Sequence, residues 1–221
     1  MHIIKIIFFD TETTGLNCMN CKIIEIAMLT VEDGEIVEEY DEFIDIGEPL
    51  PSKITKITGI TDEMLSDYGV FEEVIAEDLK ERLTPETLMI AHNAQFDLSF
   101  IYFLLKRHFP AEADDIVANV DWLDTLTVLK DRKKYPHKLV DAARYYKIDD
   151  VNYHRAIDDT KALYDVTVAM KNERNDLGEY INWFGYNPKY GPGYFTFSFI
   201  KYKAQPFRQG LAPAERILPK R

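Results

Sequence analysis

Two carboxylates follow an apolar run near the start of the chain. Residues 6–9, Ile-Ile-Phe-Phe, predict a buried central strand, and Asp10 and Glu12 come at its end. Alternate residues of a strand point to the same side, so we expect both carboxylates on one face. Because neighbouring anions repel each other, a hard divalent cation with oxygen ligands is their natural partner. Taken alone, the pair fits a solvated strand end equally well.

A further acid, Asp97, lies at the junction between a predicted strand over residues 87–91 and a predicted helix over residues 95–109. Helix N-termini favour anions, and ligands of open α/β sheets bind outside the carboxyl ends of the strands. We therefore expect Asp97 near the same sheet edge as the first pair. The alternative is that Asp97 only stabilises the start of its helix.

The third chemical segment contains His154, Asp158 and Asp159, at the start of a helix predicted over residues 157–170. A loop histidine could lean over a site to which the helix delivers Asp159, and a neutral histidine near an activated water is a plausible general base. Asp158 points elsewhere on the helix and is expected to interact with the helix dipole. The alternative for His154 is a hydrogen-bonded loop residue without a catalytic role.

These segments require an α/β scaffold with a mixed sheet. Three strands joined by short connections predict an antiparallel meander, and two parallel strands and several helices follow it. The predicted strands cover residues 6–9, 22–31, 36–45, 87–91 and 116–120. The predicted helices cover residues 52–57, 61–65, 70–83, 95–109, 122–129, 139–146 and 157–170.

The three segments together resemble the motifs of the DEDDh 3′→5′ exonucleases. The family's motifs match residues 10–15 (Asp-Thr-Glu-Thr-Thr-Gly), 92–97 (His-Asn-Ala-Gln-Phe-Asp) and 154–159 (His-Arg-Ala-Ile-Asp-Asp). Residues 57–65 are similar to a segment of the proofreading domains of bacterial replicative DNA polymerases. The resemblance covers about residues 3 to 172. It implies a ribonuclease-H-like α/β fold, with a mixed five-stranded sheet flanked by helices.

The resemblance also implies catalytic roles for five residues. Asp10, Glu12 and Asp159 would bind one divalent cation, and Asp10 would bridge to a second cation that Asp97 holds. The cations would be Mg²⁺ or Mn²⁺. His154 would take the proton from the attacking water.

The remaining implied roles concern the substrate. Thr13 and the backbone near Thr14 would meet the terminal 3′ hydroxyl, and Leu16 would lie beside the last base. Phe96 would pack against the terminal nucleotide, and His92 and Asn93 are further candidate substrate-binding residues. The implied reaction releases nucleoside 5′-monophosphates from single-stranded or frayed DNA. An enzyme that trims RNA or oligonucleotides is an alternative, and so is a non-catalytic module associated with a polymerase, although the intact acids argue against the last.

The net charge of −12 has the wrong sign for binding nucleic acid through bulk electrostatics. Contacts to DNA 3′ ends must then rest on bound metals and local basic patches. The resemblance adds a DNA polymerase as a candidate partner. The densest basic run offers four candidate phosphate contacts, Arg132, Lys133, Lys134 and Lys138. The alternative for this basic run is a solvated loop between helices.

Cys18 and Cys21 alone are weak evidence for zinc, so we expect reduced thiols. No apolar run reaches membrane-spanning length and no signal peptide is visible, so we expect no membrane contact and a cytoplasmic location.

We divide the chain into an exonuclease domain over residues 1–175 and a C-terminal extension over residues 176–221. Residues 189–221 carry seven basic side chains and one acid, a charge of +6 beside −18 for the rest. Residues 194–200 alternate apolar and polar side chains and predict a strand. The extension could bind nucleic acid through its aromatic and cationic side chains. Alternatively it covers the domain, the interpretation that we favour because an apolar face needs a partner surface.

Overall fold

The structure, a computed structural model, describes residues 5–148 and 155–205. Its strands are β1 (Lys5–Thr13), β2 (Ile23–Glu32), β3 (Glu35–Asp45), β4 (Val70–Phe71), β5 (Thr87–Ala91), β6 (Asp121–Asp124), β7 (Trp183–Tyr186) and β8 (Lys201–Ala204). Six of them form the main sheet in the order β4-β3-β2-β1-β5-β6, and β7 pairs with β8 separately.

The main sheet is mixed, as the sequence predicted. β1, β2 and β3 are antiparallel neighbours, whereas β5 runs parallel to both β1 and β6. The expected count of five strands is low by one, because Val70 and Phe71 form a short strand parallel to the end of β3 instead of beginning a helix. Gly69 makes this pairing possible, since a Cβ at that position would lie 2.4 Å from the carbonyl oxygen of Leu65.

Eight α-helices cover parts of both faces of the sheet in the described residues. They are α1 (Ser52–Thr58), α2 (Asp62–Tyr68), α3 (Glu72–Arg82), α4 (Ala94–His108), α5 (Ala113–Ala118), α6 (Thr125–Arg132), α7 (Leu139–Tyr146) and α8 (Ala156–Glu173). The hydroxyl of Thr61 accepts a hydrogen bond from the amide of Met64 and caps α2.

The prediction for residues 116–120 is wrong: they are not a strand, and the last strand of the sheet comes later. Ala113 and Val117 are both buried at helical spacing, which places residues 113–118 in α5. Trp122, which was expected to begin a helix, lies in β6 and pairs with Met89. The following helix starts only after Asp124, whose side chain accepts hydrogen bonds from the first amides of α6.

The predicted strand over residues 194–200 is also wrong. These residues form turns and irregular structure, and the amide of Ile200 donates to the carbonyl of Phe197 within the segment. The amide of Phe197 donates to the hydroxyl of Tyr202 at 3.1 Å, and the carbonyl of Phe195 accepts from Gln95 at 2.7 Å. The strands of the extension are instead β7 and β8.

The core lies on both faces of the main sheet. Ile7 and Phe9 belong to one buried cluster and Phe8 to the other, because alternate residues of β1 point in opposite directions. β1 is therefore a central strand, and its carboxyl end carries the first acidic pair. No helix in residues 5–148 and 155–205 is long and apolar enough to cross a bilayer.

Candidate metal and nucleic-acid site

Three carboxylates meet at the carboxyl end of β1. Asp10 and Glu12 come from the strand, and Asp159 comes from the first turns of α8. One carboxylate oxygen from each lies within 4.8 Å of the other two. The strand and the helix therefore converge on a cluster of three partly buried oxygen donors, the kind of ligand that Mg²⁺ and Mn²⁺ prefer.

The electrostatics of the cluster fit a cation. Burial raises the pKa of Asp10 well above its usual range, and the charges of Asp97, Asp159 and Glu12 raise it further. Burial and the charge of Asp159 raise the pKa of Glu12 to about 7, although the Arg155 guanidinium acts in the opposite direction. A divalent cation would relieve this repulsion, so the residues present suit a metal site.

Asp97 lies beside this cluster, in the first turn of α4, and is buried. Its Oδ1 atom accepts a hydrogen bond from the hydroxyl of Thr11 at 2.7 Å. Burial raises the pKa of Asp97 to about 7, against the effect of that hydrogen bond. Thr11 is between Asp10 and Glu12 in sequence, so this bond connects the start of α4 to the strand that carries the acidic pair. Nothing in the local sequence pattern predicts this bond.

Glu25 is a second residue that the sequence analysis missed. It is fully buried on β2 directly opposite Glu12, and it accepts hydrogen bonds from the Nε atom of Arg155 at 2.8 Å and the amide of Ala156 at 3.1 Å. These bonds fix the start of α8 against β2 and so position Asp159. The sequence signal that could have identified such a role is a glutamate within the apolar run of residues 23–29.

His154, the predicted general base, lies outside the described residues. The described chain resumes at Arg155, one residue before α8 begins. The role of His154 therefore stays a prediction.

The loop after β1 contains the residues expected to meet the terminal hydroxyl. The hydroxyl of Thr13 donates to the carbonyl of Gly15 at 2.7 Å, which leaves its oxygen able to accept a further bond. The amide of Thr14 donates to the carbonyl of Lys22, and the Thr14 hydroxyl accepts from the amide of Lys22. Leu16 is 74% exposed.

The second motif, residues 92–97, contains residues that hold the local structure in place. Both ring nitrogens of His92 are engaged, with the hydroxyl of Thr125 at 3.0 Å and the carbonyl of His137 at 2.8 Å. Asn93 adopts a left-handed conformation with φ 75°, and its amide donates to Asp124. The ring of Phe96 lies 4.8 Å from that of Phe100. The structure thus places Asn93 and Phe96 at the turn into α4, while His92 connects this turn to α6.

The four basic candidates differ in their exposure. The side chain of Arg132 is only 3% exposed and donates to backbone carbonyls at the end of α8 and to Asp176, so it is engaged inside the protein. Lys133 pairs with Glu173. Lys134 and Lys138 are exposed, and Lys138 lines a pocket beside His92. Lys134 and Lys138 are thus the most exposed of the four, and the phosphate contacts stay a prediction.

The family comparison matches residues 7–167 to the model of the exonuclease family RNase_T. The PolC-type DNA polymerase III of Caldanaerobacter subterraneus subsp. tengcongensis is 33% identical over 178 residues, which is 79% of this chain and 12% of the relative. The same polymerase of Halalkalibacterium halodurans is 36% identical over 162 residues, or 72% of this chain and 11% of the relative. The chain thus spans about a tenth of the length of these relatives.

Solved structures share the fold. Exonuclease I of E. coli in complex with a dA16 oligonucleotide matches with a TM-score of 0.71 and 19% identity, over 80% of this chain and 42% of that chain. Exonuclease I of Methylocaldum szegediense matches with a TM-score of 0.68 and 18% identity, over 79% of this chain and 42% of that chain. The expected ribonuclease-H-like architecture is thereby confirmed.

Proposed function

We propose that this chain, which belongs to the exonuclease family as a DEDDh 3′→5′ exonuclease, removes nucleotides from the 3′ ends of single-stranded or frayed DNA. The observation that carries the proposal is the cluster of Asp10, Glu12 and Asp159 within 4.8 Å, with Asp97 beside it. The relatives in the sequence comparison are named as DNA polymerases, which favours DNA as the substrate and proofreading or repair as the setting. Action in the cytoplasm, free or beside a polymerase, is part of the same proposal.

The proposed site holds two divalent cations, Mg²⁺ or Mn²⁺. Asp10, Glu12 and Asp159 would hold one of them, and Asp10 and Asp97 would hold the other. When bound, such cations lower the pKa of water and offset negative charge on the reacting phosphate.

The protein residues position the reactants and move the proton. The oxygen of Thr13 accepts a hydrogen bond from the terminal 3′ hydroxyl, and Leu16 lies beside the last base. His154 takes a proton from the water whose oxygen attacks phosphorus. As this P–O bond forms, the bond from phosphorus to the 3′ oxygen of the preceding nucleotide breaks. That oxygen gains a proton, and a nucleoside 5′-monophosphate leaves.

The test is hydrolysis of a 5′-labelled DNA strand and a matched RNA strand in Mg²⁺, with the wild type and the Asp10→Ala variant. The wild type should shorten DNA one nucleotide at a time from the 3′ end, and Asp10→Ala should abolish this activity because both cations lose a ligand. Asp67→Ala, which removes an exposed carboxylate on α2, serves as the control.

Two outcomes would contradict the proposal. Turnover of the Asp10→Ala variant within about tenfold of the wild type would exclude the metal assignment. Shortening of RNA but not DNA would exclude the proposed substrate in favour of an exoribonuclease.

A further inference from the structure

A pocket of about 340 Å³ lies between the motif residues and the C-terminal extension. Leu16, Asn93 and Phe96 line it from the exonuclease domain, and Tyr190 and Tyr194 line it from the extension. The pocket is therefore continuous with the residues proposed to hold the 3′ end, but part of its lining comes from beyond the region that matches the exonuclease family.

Large apolar side chains of this pocket remain exposed to solvent. Tyr190 is 72% exposed, Tyr194 is 67% exposed, and Leu16 is 74% exposed. Scattered exposed apolar residues are ordinary, but several that share one concave site indicate a ligand that covers them. Beneath them, Phe100 and Phe184 are buried and give the pocket an apolar floor.

The backbone that carries the two tyrosines is held against the start of α4. The side-chain amide of Gln95 donates to the carbonyl of Phe195 at 2.7 Å, and its oxygen accepts from the hydroxyl of Tyr202 at 2.6 Å. Gly193, between the tyrosines, has φ +121°, and a Cβ there would lie 3.3 Å from Cγ of Gln95. The tyrosines thus extend from an anchored turn, so little order has to be gained when a ligand binds.

The charge of the segment favours a polyanion. Residues 181–205 contain three lysines and no acid, in a chain whose net charge is −12. The ammonium of Lys189 lies 5.0 Å from the centre of the Tyr190 ring, so a cation stands beside the exposed aromatic surface. Aromatic rings beside cations are the combination with which proteins bind single-stranded nucleic acid, by stacking on bases and pairing with phosphates.

We propose that Tyr190 and Tyr194 form a stacking wall for an unpaired nucleobase next to the scissile phosphodiester. This inference rests on the proposed function for the identity of the strand. It adds that the C-terminal extension takes part in substrate binding. The extension also selects unpaired ends, because a base inside a duplex is stacked on both faces and has no free face for a tyrosine ring. Stacking accepts every base, so the site tolerates any sequence.

The binding test uses a fluorescently labelled single-stranded DNA in Ca²⁺, which limits hydrolysis. Changing both Tyr190→Ala and Tyr194→Ala should raise the Kd by about 10- to 100-fold, the size expected for lost stacking. Tyr68→Ala is the matched control, because Tyr68 is 72% exposed on α2, and its Kd should stay within about twofold of the wild type. Changing both residues to Trp should retain binding. Melting temperatures should not change, since the tyrosines are exposed.

A second strand separates stacking from phosphate contacts. An oligonucleotide with abasic sites at its three terminal nucleotides should bind the wild type more weakly than the intact strand, and the double variant should distinguish the two strands by a smaller factor than the wild type does. An unchanged Kd for the double variant on intact DNA would overturn the inference. So would an equal loss on intact and abasic strands, and so would affinity for an apolar peptide but not for DNA.

The two proposals fail in different ways. A wild type that binds single strands through the tyrosines but never cleaves them in Mg²⁺ contradicts the proposed function and supports the stacking wall. A wild type that cleaves DNA, beside a double variant that binds and cleaves equally well, overturns the stacking wall alone.

Discussion

Asp158 and Asp159 are adjacent in sequence but reach different surroundings. Consecutive helix residues point about 100° apart, so only one of them can enter the cluster at the end of β1. That residue is Asp159, which lies with Asp10 and Glu12. The charge of Asp158 instead acts on Asp41 of β3, whose pKa is raised first by burial. The two side chains therefore allow a matched test of the site.

We predict that Asp159→Asn reduces the rate of hydrolysis by orders of magnitude, because a proposed ligand loses its charge. Asp158→Asn should leave the rate within about threefold of the wild type, as expected for a surface substitution. Single-turnover hydrolysis of one labelled DNA strand measures both. A large loss of rate in Asp158→Asn but not in Asp159→Asn would show that the third motif is aligned one residue too far along the chain.

At the residue scale, the sequence identified the acids of the cluster but not what holds them. Asp10, Glu12 and Asp159 were found because acids at strand and helix ends have a recognisable chemistry. Glu25 was overlooked because its role depends on a long-range bond to α8, which local periodicity does not contain. Likewise, the Arg132 side chain is buried because it packs against the end of α8. Its charge alone had suggested an exposed residue that contacts phosphate.

At the scale of elements, an ion cluster joins the start of α3 to the end of α4, the helix that carries Asp97. Glu72 bonds with Arg107 and with His108. Burial by itself would raise the pKa of Glu72, but the hydrogen bonds and charges of Arg107 and His108 outweigh it and hold that pKa below its usual range. A lowered pKa in the folded state means that ionised Glu72 stabilises the protein above the unfolded pKa. That contribution disappears as the pH falls through the folded pKa.

Glu72→Gln should therefore lower the free energy of unfolding by about 1–2 kcal/mol at pH 7, through weaker hydrogen bonds to Arg107 and His108. The difference from the wild type should shrink progressively as the pH falls below about 4, because the carboxylate is protonated first in the unfolded state and in the folded state only at lower pH. Urea unfolding across this pH range measures it. Glu73→Gln, at an exposed acid of the same helical turn, is the control for the helix dipole. A difference independent of pH would contradict the electrostatic explanation.

Local sequence patterns were sufficient to predict some of the strands and helices but not others. The strands of the meander and the long helices α4 and α8 were predicted because long periodic segments carry a strong signal. Short apolar runs do not, and α5 was mistaken for a strand because Ile116, Val117 and Val120 fit either period. The alternation of residues 194–200 was misleading for a different reason. It arises from rings that pack around Tyr102 and Phe103 without strand pairing, and Phe195 stacks on Tyr102 with a centroid distance of 5.1 Å.

At the scale of the molecule, the described part of the C-terminal extension is continuous with the main core. Phe184, Phe197 and Ile200 are buried in the same cluster as Ile7 and Phe9 of β1. The packing of residues 180–205 agrees with the expected cover, while the boundary at residue 175 stays a prediction. The same segment also exposes Tyr190 and Tyr194. One side of the segment can therefore cover the domain while the other side binds a single strand of DNA.

The last prediction separates these two sides with aromatic residues three positions apart. Phe197→Ala should lower the free energy of unfolding by about 3–5 kcal/mol, because a buried ring leaves a cavity in the core. Tyr194→Ala should change stability by no more than about 0.5 kcal/mol, because its ring is exposed, yet it should weaken binding of single-stranded DNA. Urea unfolding and anisotropy in Ca²⁺ on the same preparations measure both quantities. A Phe197→Ala variant as stable as the wild type would mean that the extension does not contribute to the stability of the core. A Tyr194→Ala variant as unstable as Phe197→Ala would mean that its ring supports the fold instead of a nucleobase.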